Sequence, residues 1–168
     1  MAELKRLVVK ADSWKIFFVF VGSMLFYGIT PDEQSILKIV ASILLAVVIF
    51  GWFLILGTSL NDNLPEDQQK SDALFIISCF YGILLVSVSA ILKDTAIDEE
   101  IAEYVVVLIV LFGLSFFYVI YFTSTLYTSN QERFLDKEKL SAEVIFILFI
   151  AFIFGVLVLQ SRVKKFFT

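Results

Sequence analysis

Residues 30–60 read TPDEQSILKIVASILLAVVIFGWFLILGTSL, and after the opening turn Lys38 is the only charge among them. From Ile36 to Leu60 there are 25 residues. At ~1.5 Å of rise each they exceed a hydrocarbon core of ~30 Å, which predicts a helix that crosses a bilayer with some tilt. Thr30, Pro31 and Glu33 have the pattern of a capping box. Thr30 accepts from the first-turn amides, Pro31 sits where no donor is needed, and Glu33 reaches back. The expected helix therefore starts at a defined point, and the other apolar runs must pack around it.

Composition agrees. Of 168 residues, 60% are hydrophobic, against ~45–50% in soluble domains, and the mean hydropathy is +0.92. The net charge is −4 and the cations are scattered in short groups. There is no continuous basic footprint, so direct binding of nucleic acid is not expected. The single cysteine, Cys79, lies in an apolar run; it has no partner for an intramolecular disulfide and reads as a small apolar side chain.

The hydrophobic pattern predicts an all-α fold: one transmembrane helical domain over residues 1–168, a polytopic bundle of five spans at about 15–29, 36–60, 73–92, 104–126 and 144–160. The first run is short, with Trp14 and Tyr27 as interfacial anchors. The alternative is four spans plus an N-terminal interfacial or re-entrant helix, with Leu4, Leu7, Val8 and Ala11 on one face of the chain's start. Asn61 to Asp72, NDNLPEDQQKSD, reads as a turn between antiparallel helices, and Ser129 to Glu143 as the longest mixed-charge connection. Five crossings put the termini on opposite sides. A cytoplasmic N-terminus then collects the larger share of lysine and arginine.

Three sets of residues stand out within this frame. Small residues recur four apart, Ser42 with Ala46, Ser78 with Gly82 and Ala151 with Gly155, and such pairs let helix backbones approach closely, within one chain or between chains. Tyr118, Tyr121, Thr125 and Thr128 fall within roughly an 80° arc of one helix. They form a polar stripe that would suit a water-filled path, although membrane hydroxyls more often bond backbone carbonyls. Asp94, Asp98, Glu99, Glu100 and Glu103 stand close together as an acidic mouth or docking patch; acids also belong in a first helical turn for electrostatic reasons alone.

The chain has no histidine, and no Asp, Glu, Lys or Arg lies in the middle of an expected span. Proton relays and ion-coupled transporters place ionisable groups at membrane depth. Intramembrane hydrolases need a nucleophile with a base or paired carboxylates, and zinc needs a ligand set absent here. No enzyme activity, cofactor or metal is expected.

LGTSLNDNLPEDQQKSDALF at 56–75, YFTSTLYTSNQERFLDKEKLSAEVIF in the later half and LQSRVKK near the end resemble small multi-spanning bacterial membrane proteins. Those proteins have a leucine-asparagine-leucine-proline turn after the second span and a closing glutamine-basic tail. The resemblance implies a bacterial inner membrane location and brings no activity, substrate or catalytic residue.

The expected function is that of a non-enzymatic integral membrane subunit, in contact with the lipid bilayer, that self-associates as a homo-oligomer or anchors a protein partner. A defence or stress system, antiviral defence among them, is its expected setting. The alternative is an oligomeric ion channel or pore with a hydroxyl-lined path and an acidic mouth.

Overall fold

In the computed structural model the described residues are 3, 8–31, 35–92, 99–135 and 139–167. They contain no strand. After a helical turn at 8–10 come α1 (Ser13–Ile29), α2 (Ser35–Asp62), α3 (Ala73–Leu92), α4 (Glu99–Phe134), α5 (Ala142–Ile150) and α6 (Phe152–Phe166). Ile36–Asp62 of α2, the whole of α3 and Glu103–Phe134 of α4 are long and apolar enough to cross a membrane. The chain is thus an all-helical protein built for contact with a lipid bilayer.

α2 is the central rod, and α1, α3 and α4 pack on it. Apolar burial drives little association in lipid, so close packing must do the work. Phe75 fills the space that Gly57 leaves open, and Phe50 fills the space at Gly82; a Cβ at either glycine would come within 2.4 Å and 2.3 Å of those rings. Both pairs set α3 antiparallel to α2. Phe50 and Phe53 then meet Phe112 and Phe116 of α4 edge to face, with centroids 5.9–6.4 Å apart.

α1 runs lengthwise along α2, Phe20 meeting the Trp52 ring at 5.8 Å, and does not lie flat across the end of the bundle as an interfacial helix would. Thr30 closes α1: its amide and hydroxyl both donate to the Phe26 carbonyl. Lys38 donates to the carbonyls of Tyr27 and Thr30 at 2.9 and 3.2 Å, and its ammonium sits 4.1 Å from the Tyr27 ring centroid. The one charge within the apolar run of α2 therefore sits on the carbonyl end of α1, where the helix dipole favours a cation. The remainder of the expected capping box, Asp32 and Glu33, lies outside the described residues, as do Leu4 and Leu7 of the expected interfacial face.

The expected fifth span at 144–160 is not one rod. Helix breaks at Ala151, and the two halves fold back on one another: the Tyr127 ring meets Phe149 at 6.1 Å and Phe166 at 5.1 Å. Seventeen residues of straight helix would hold those two phenylalanines ~25 Å apart. α5 enters beside α4 and its tip reaches Trp52 and Phe53, with Phe149 at 6.2 and 5.9 Å. α6 returns along α1. Gln160 donates to the carbonyls of Val8 and Val9, and Lys164 pairs with Asp12. Val8 and Phe166 consequently lie at one end of the bundle, so the described residues do not form the five straight crossings expected from the sequence.

That common end is built from amides. Asn61 donates to the Lys70 carbonyl and accepts from its N–H, at 2.7 and 2.9 Å. Gln131 does the same with Leu140, at 2.8 and 2.9 Å. Each primary amide thus closes a connection nine residues long. Asn130 Nδ2 donates to the carbonyls of Leu60 and Leu126, and its Oδ1 accepts from Asn63, which also donates to the Phe166 carbonyl. No Gly or Pro stops the helix after Leu126, so α4 continues to Phe134 through residues read as connection. At this end lie Lys10, Lys15, Lys70, Arg133, Lys139, Arg162, Lys164 and Lys165, whereas Lys38 is the only described cation at the Thr30 end.

Candidate functional site

A groove of about 590 Å³ lies between α4 and α5, lined by Tyr121, Ser124, Thr125, Thr128, Ser129 and Glu132 from one helix and Ala142, Glu143, Phe146 and Ile147 from the other. It starts at the amide-clasped end of the bundle and runs toward the bundle's middle. Tyr121 and Ile147 are 54% and 59% exposed, so the groove opens sideways.

Its polar wall follows from helix geometry. Hydroxyls on a membrane helix return their protons to carbonyls one turn back. Thr125 donates to Tyr121 at 2.8 Å, Ser124 to Tyr121 at 2.9 Å, Thr128 to Ser124 at 2.9 Å and Ser129 to Thr125 at 3.2 Å. With these protons spent, the oxygens offer lone pairs to the groove. Glu132 and Glu143 complete the outer rim. Glu143 stands ahead of the apolar run, and its own amide, with help from the Ser141 hydroxyl, holds its carboxyl below the usual carboxylate range. Among the described residues no Lys or Arg lines the groove.

Three of the four residues of the predicted stripe meet here, and Tyr118 does not; its ring lies 6.0 Å from Phe122. Glu132 was missed, although it follows Thr128 by four and Tyr121 by eleven and so continues the same helical face. Glu143 reaches the rim only because the hairpin brings α5 back beside α4, which no local pattern carries. The predicted acidic segment is elsewhere: Asp94 and Asp98 lie outside the described residues, Glu99 and Glu100 open α4, and Glu103 is exposed far from the groove.

Five of the six small-residue positions are buried within the chain. Ser42 and Ala46 are buried on α2, the Ser42 hydroxyl donating to the Lys38 carbonyl at 2.8 Å. Ser78 and Cys79 are buried with Gly82 on α3. Ala151 is the exposed corner of the hairpin and Gly155 is buried within it. Gly57, the other half of the α2–α3 contact, has no small residue four away to mark it as Gly82 has.

No group of three or more His, Cys, Asp or Glu side chains among the described residues is placed to hold a metal ion. No family model, curated protein or solved structure matches the chain.

Proposed function

We propose that the chain is a non-enzymatic integral membrane subunit that associates within the bilayer, with a second copy or with a partner's membrane helix, in a bacterial cell membrane. The observation that supports it is the first half of α4. Val106, Val107, Leu108, Ile109, Val110, Leu111 and Leu114 are all exposed, so apolar side chains project around much of the helix, with α3 and Phe50 of α2 covering one side. A helix apolar around its circumference is suited to an environment that is apolar on every side, and a packed helix gives more contact than mobile lipid. The test is a single cysteine at Val107, Leu111 or Leu114 in a Cys79→Ser background, oxidised in native membranes, together with the mass in mild detergent. Cross-linked dimer, or a co-purifying membrane partner, is expected. A monomeric mass with no cross-link at any of the three positions and no retained partner overturns the proposal.

The orientation proposed is with both termini and the amide-clasped end in the cytoplasm. The cations gathered at that end support it, since short cytoplasmic connections carry the excess of Lys and Arg.

A pore is the second reading, supported by the hydroxyl wall and the carboxylate rim of the α4–α5 groove. The groove opens sideways, so an enclosed path needs a second copy. Current through reconstituted bilayers that falls when Tyr121 and Thr125 become leucine is the expected result for it, and absence of current counts against it.

A further inference from the structure

We propose that the α4–α5 groove is a binding site for a bilayer lipid whose headgroup ends in a primary ammonium, the ammonium lying between Glu132 and Glu143 and an acyl chain following Phe146 and Ile147 inward. Its volume, about 590 Å³, lies within the ~300–1,000 Å³ typical of small-molecule sites. The sideways opening at Tyr121 and Ile147 admits a molecule that diffuses in the plane of the bilayer. The polarity runs the right way for an amphiphile, from two carboxylates at the outer rim to an aromatic and an aliphatic side chain within.

The headgroup is selected by what the wall offers. Thr125 and Thr128 have given their protons to helix carbonyls and present lone pairs, and the rim adds two carboxylates. A primary ammonium brings three N–H donors and a positive charge to such a wall. A phosphate- or glycerol-terminated anionic headgroup meets repulsion from the two rim carboxylates, and no described Lys or Arg lines the groove to offset it. A quaternary ammonium has the charge but no N–H to donate, and the rim holds no aromatic cage for it. The site is independent of whether the chain self-associates.

The full-length protein, purified in mild detergent, is equilibrated with equal amounts of dioleoyl phosphatidylethanolamine, phosphatidylcholine and phosphatidylglycerol, and bound lipid is read by native mass spectrometry. Retention of the ethanolamine lipid about fivefold or more over each of the others is expected, the size of two partly exposed ion pairs. The preference should disappear in Glu132→Gln with Glu143→Gln. If that pair of changes disturbs folding, Thr125→Val with Thr128→Val removes the acceptors and leaves charge and shape, and should weaken the preference severalfold. Equal retention of the three lipids, a preference for the glycerol lipid, or an ethanolamine preference untouched in a folded variant overturns the assignment.

Discussion

Gly155 lies against the backbone carbonyl of Leu148, so close that a Cβ at 155 would fall 1.8 Å from that oxygen and 3.4 Å from the Leu148 Cα. Seven residues of straight helix span ~10.5 Å. The contact is therefore made by the fold of the hairpin itself, and only hydrogen fits where the two backbones touch. Gly155→Ala must push them apart at a cost of about 1–3 kcal/mol, the usual range for overpacking, with a backbone obstacle placing it at the upper end. Circular dichroism melts in one detergent should show a lower midpoint. Gly113→Ala is the control, because nothing lies within 4 Å of a Cβ there. Equal midpoints for the two variants would mean that the hairpin is not closed at Gly155.

Asn130 ties α4 to α2 and to Asn63, which carries the link on to Phe166 of α6, and it is 0% exposed. Replacing it with leucine keeps the branched shape, removes the acceptor for Asn63 and withdraws donors from Leu60 and Leu126. Stranded buried polar groups cost about 1–3 kcal/mol. Asn63→Leu removes part of the same network, so the double change should cost less than the sum of the singles by ~0.5 kcal/mol or more. Denaturant titration of the four proteins in detergent measures the cycle. Strict additivity would show that the two amides act separately.

The long helices were legible because their apolar runs exceed a bilayer's thickness and are bounded by Thr30-Pro31 and by Asn61 to Asp72. The hairpin was not. Residues 144–160 have the length of a crossing, and composition cannot distinguish a rod from a rod folded at its middle. The deciding contacts bring Phe149 and Phe166 to the same Tyr127 ring and tie Val8 to Gln160. Ala151 and Gly155 were visible as a small pair, but the spacing that marks a face for another helix here marks a bend in their own. In the groove, Thr125, Thr128 and Glu132 follow one helical period and could all be read locally; Glu143 could not, since it depends on the return of α5. Lys38 stood out as a lone charge, and its partners are carbonyls on the preceding helix, which leave no trace in side-chain patterns.

Asp12 ties the start of α1 to the end of α6. The hydrogen bond from Lys164, then the charges of Lys164 and of Lys15, 3.6 Å away, hold its carboxyl below the ordinary carboxylate value. A depressed folded-state value means that the contribution to stability is fully present above the unfolded carboxylate pKa of ~3.9 and is lost as pH falls through the lower folded one. Asp12→Asn should therefore melt below the unmodified protein at pH 6, by a small margin because the pair is exposed. The margin should close as pH is lowered below 4. A difference that persists at pH 2.5 would assign the effect of Asp12 to something other than its charge.

The fold-back of α5 and α6 makes a topological prediction that a straight fifth span does not. If the amide-clasped end is one membrane face, then Ser71 in the α2–α3 connection, Ser141 ahead of α5 and Lys165 at the end of α6 all lie on it, and Pro31 between α1 and α2 lies on the other. Single cysteines at these four positions in a Cys79→Ser background are treated with an impermeant maleimide in intact cells and in inverted vesicles. Ser71, Ser141 and Lys165 should label together, from the cytoplasmic side given the cations gathered there, and Pro31 from the opposite side. Labelling of Lys165 with Pro31 would mean that the last apolar run crosses the bilayer and that the hairpin is wrong. Labelling of Pro31 with Ser71 would mean that α1 and α2 do not span as antiparallel rods. The expected pattern with its sides exchanged would leave the hairpin standing and refute the cytoplasmic orientation alone.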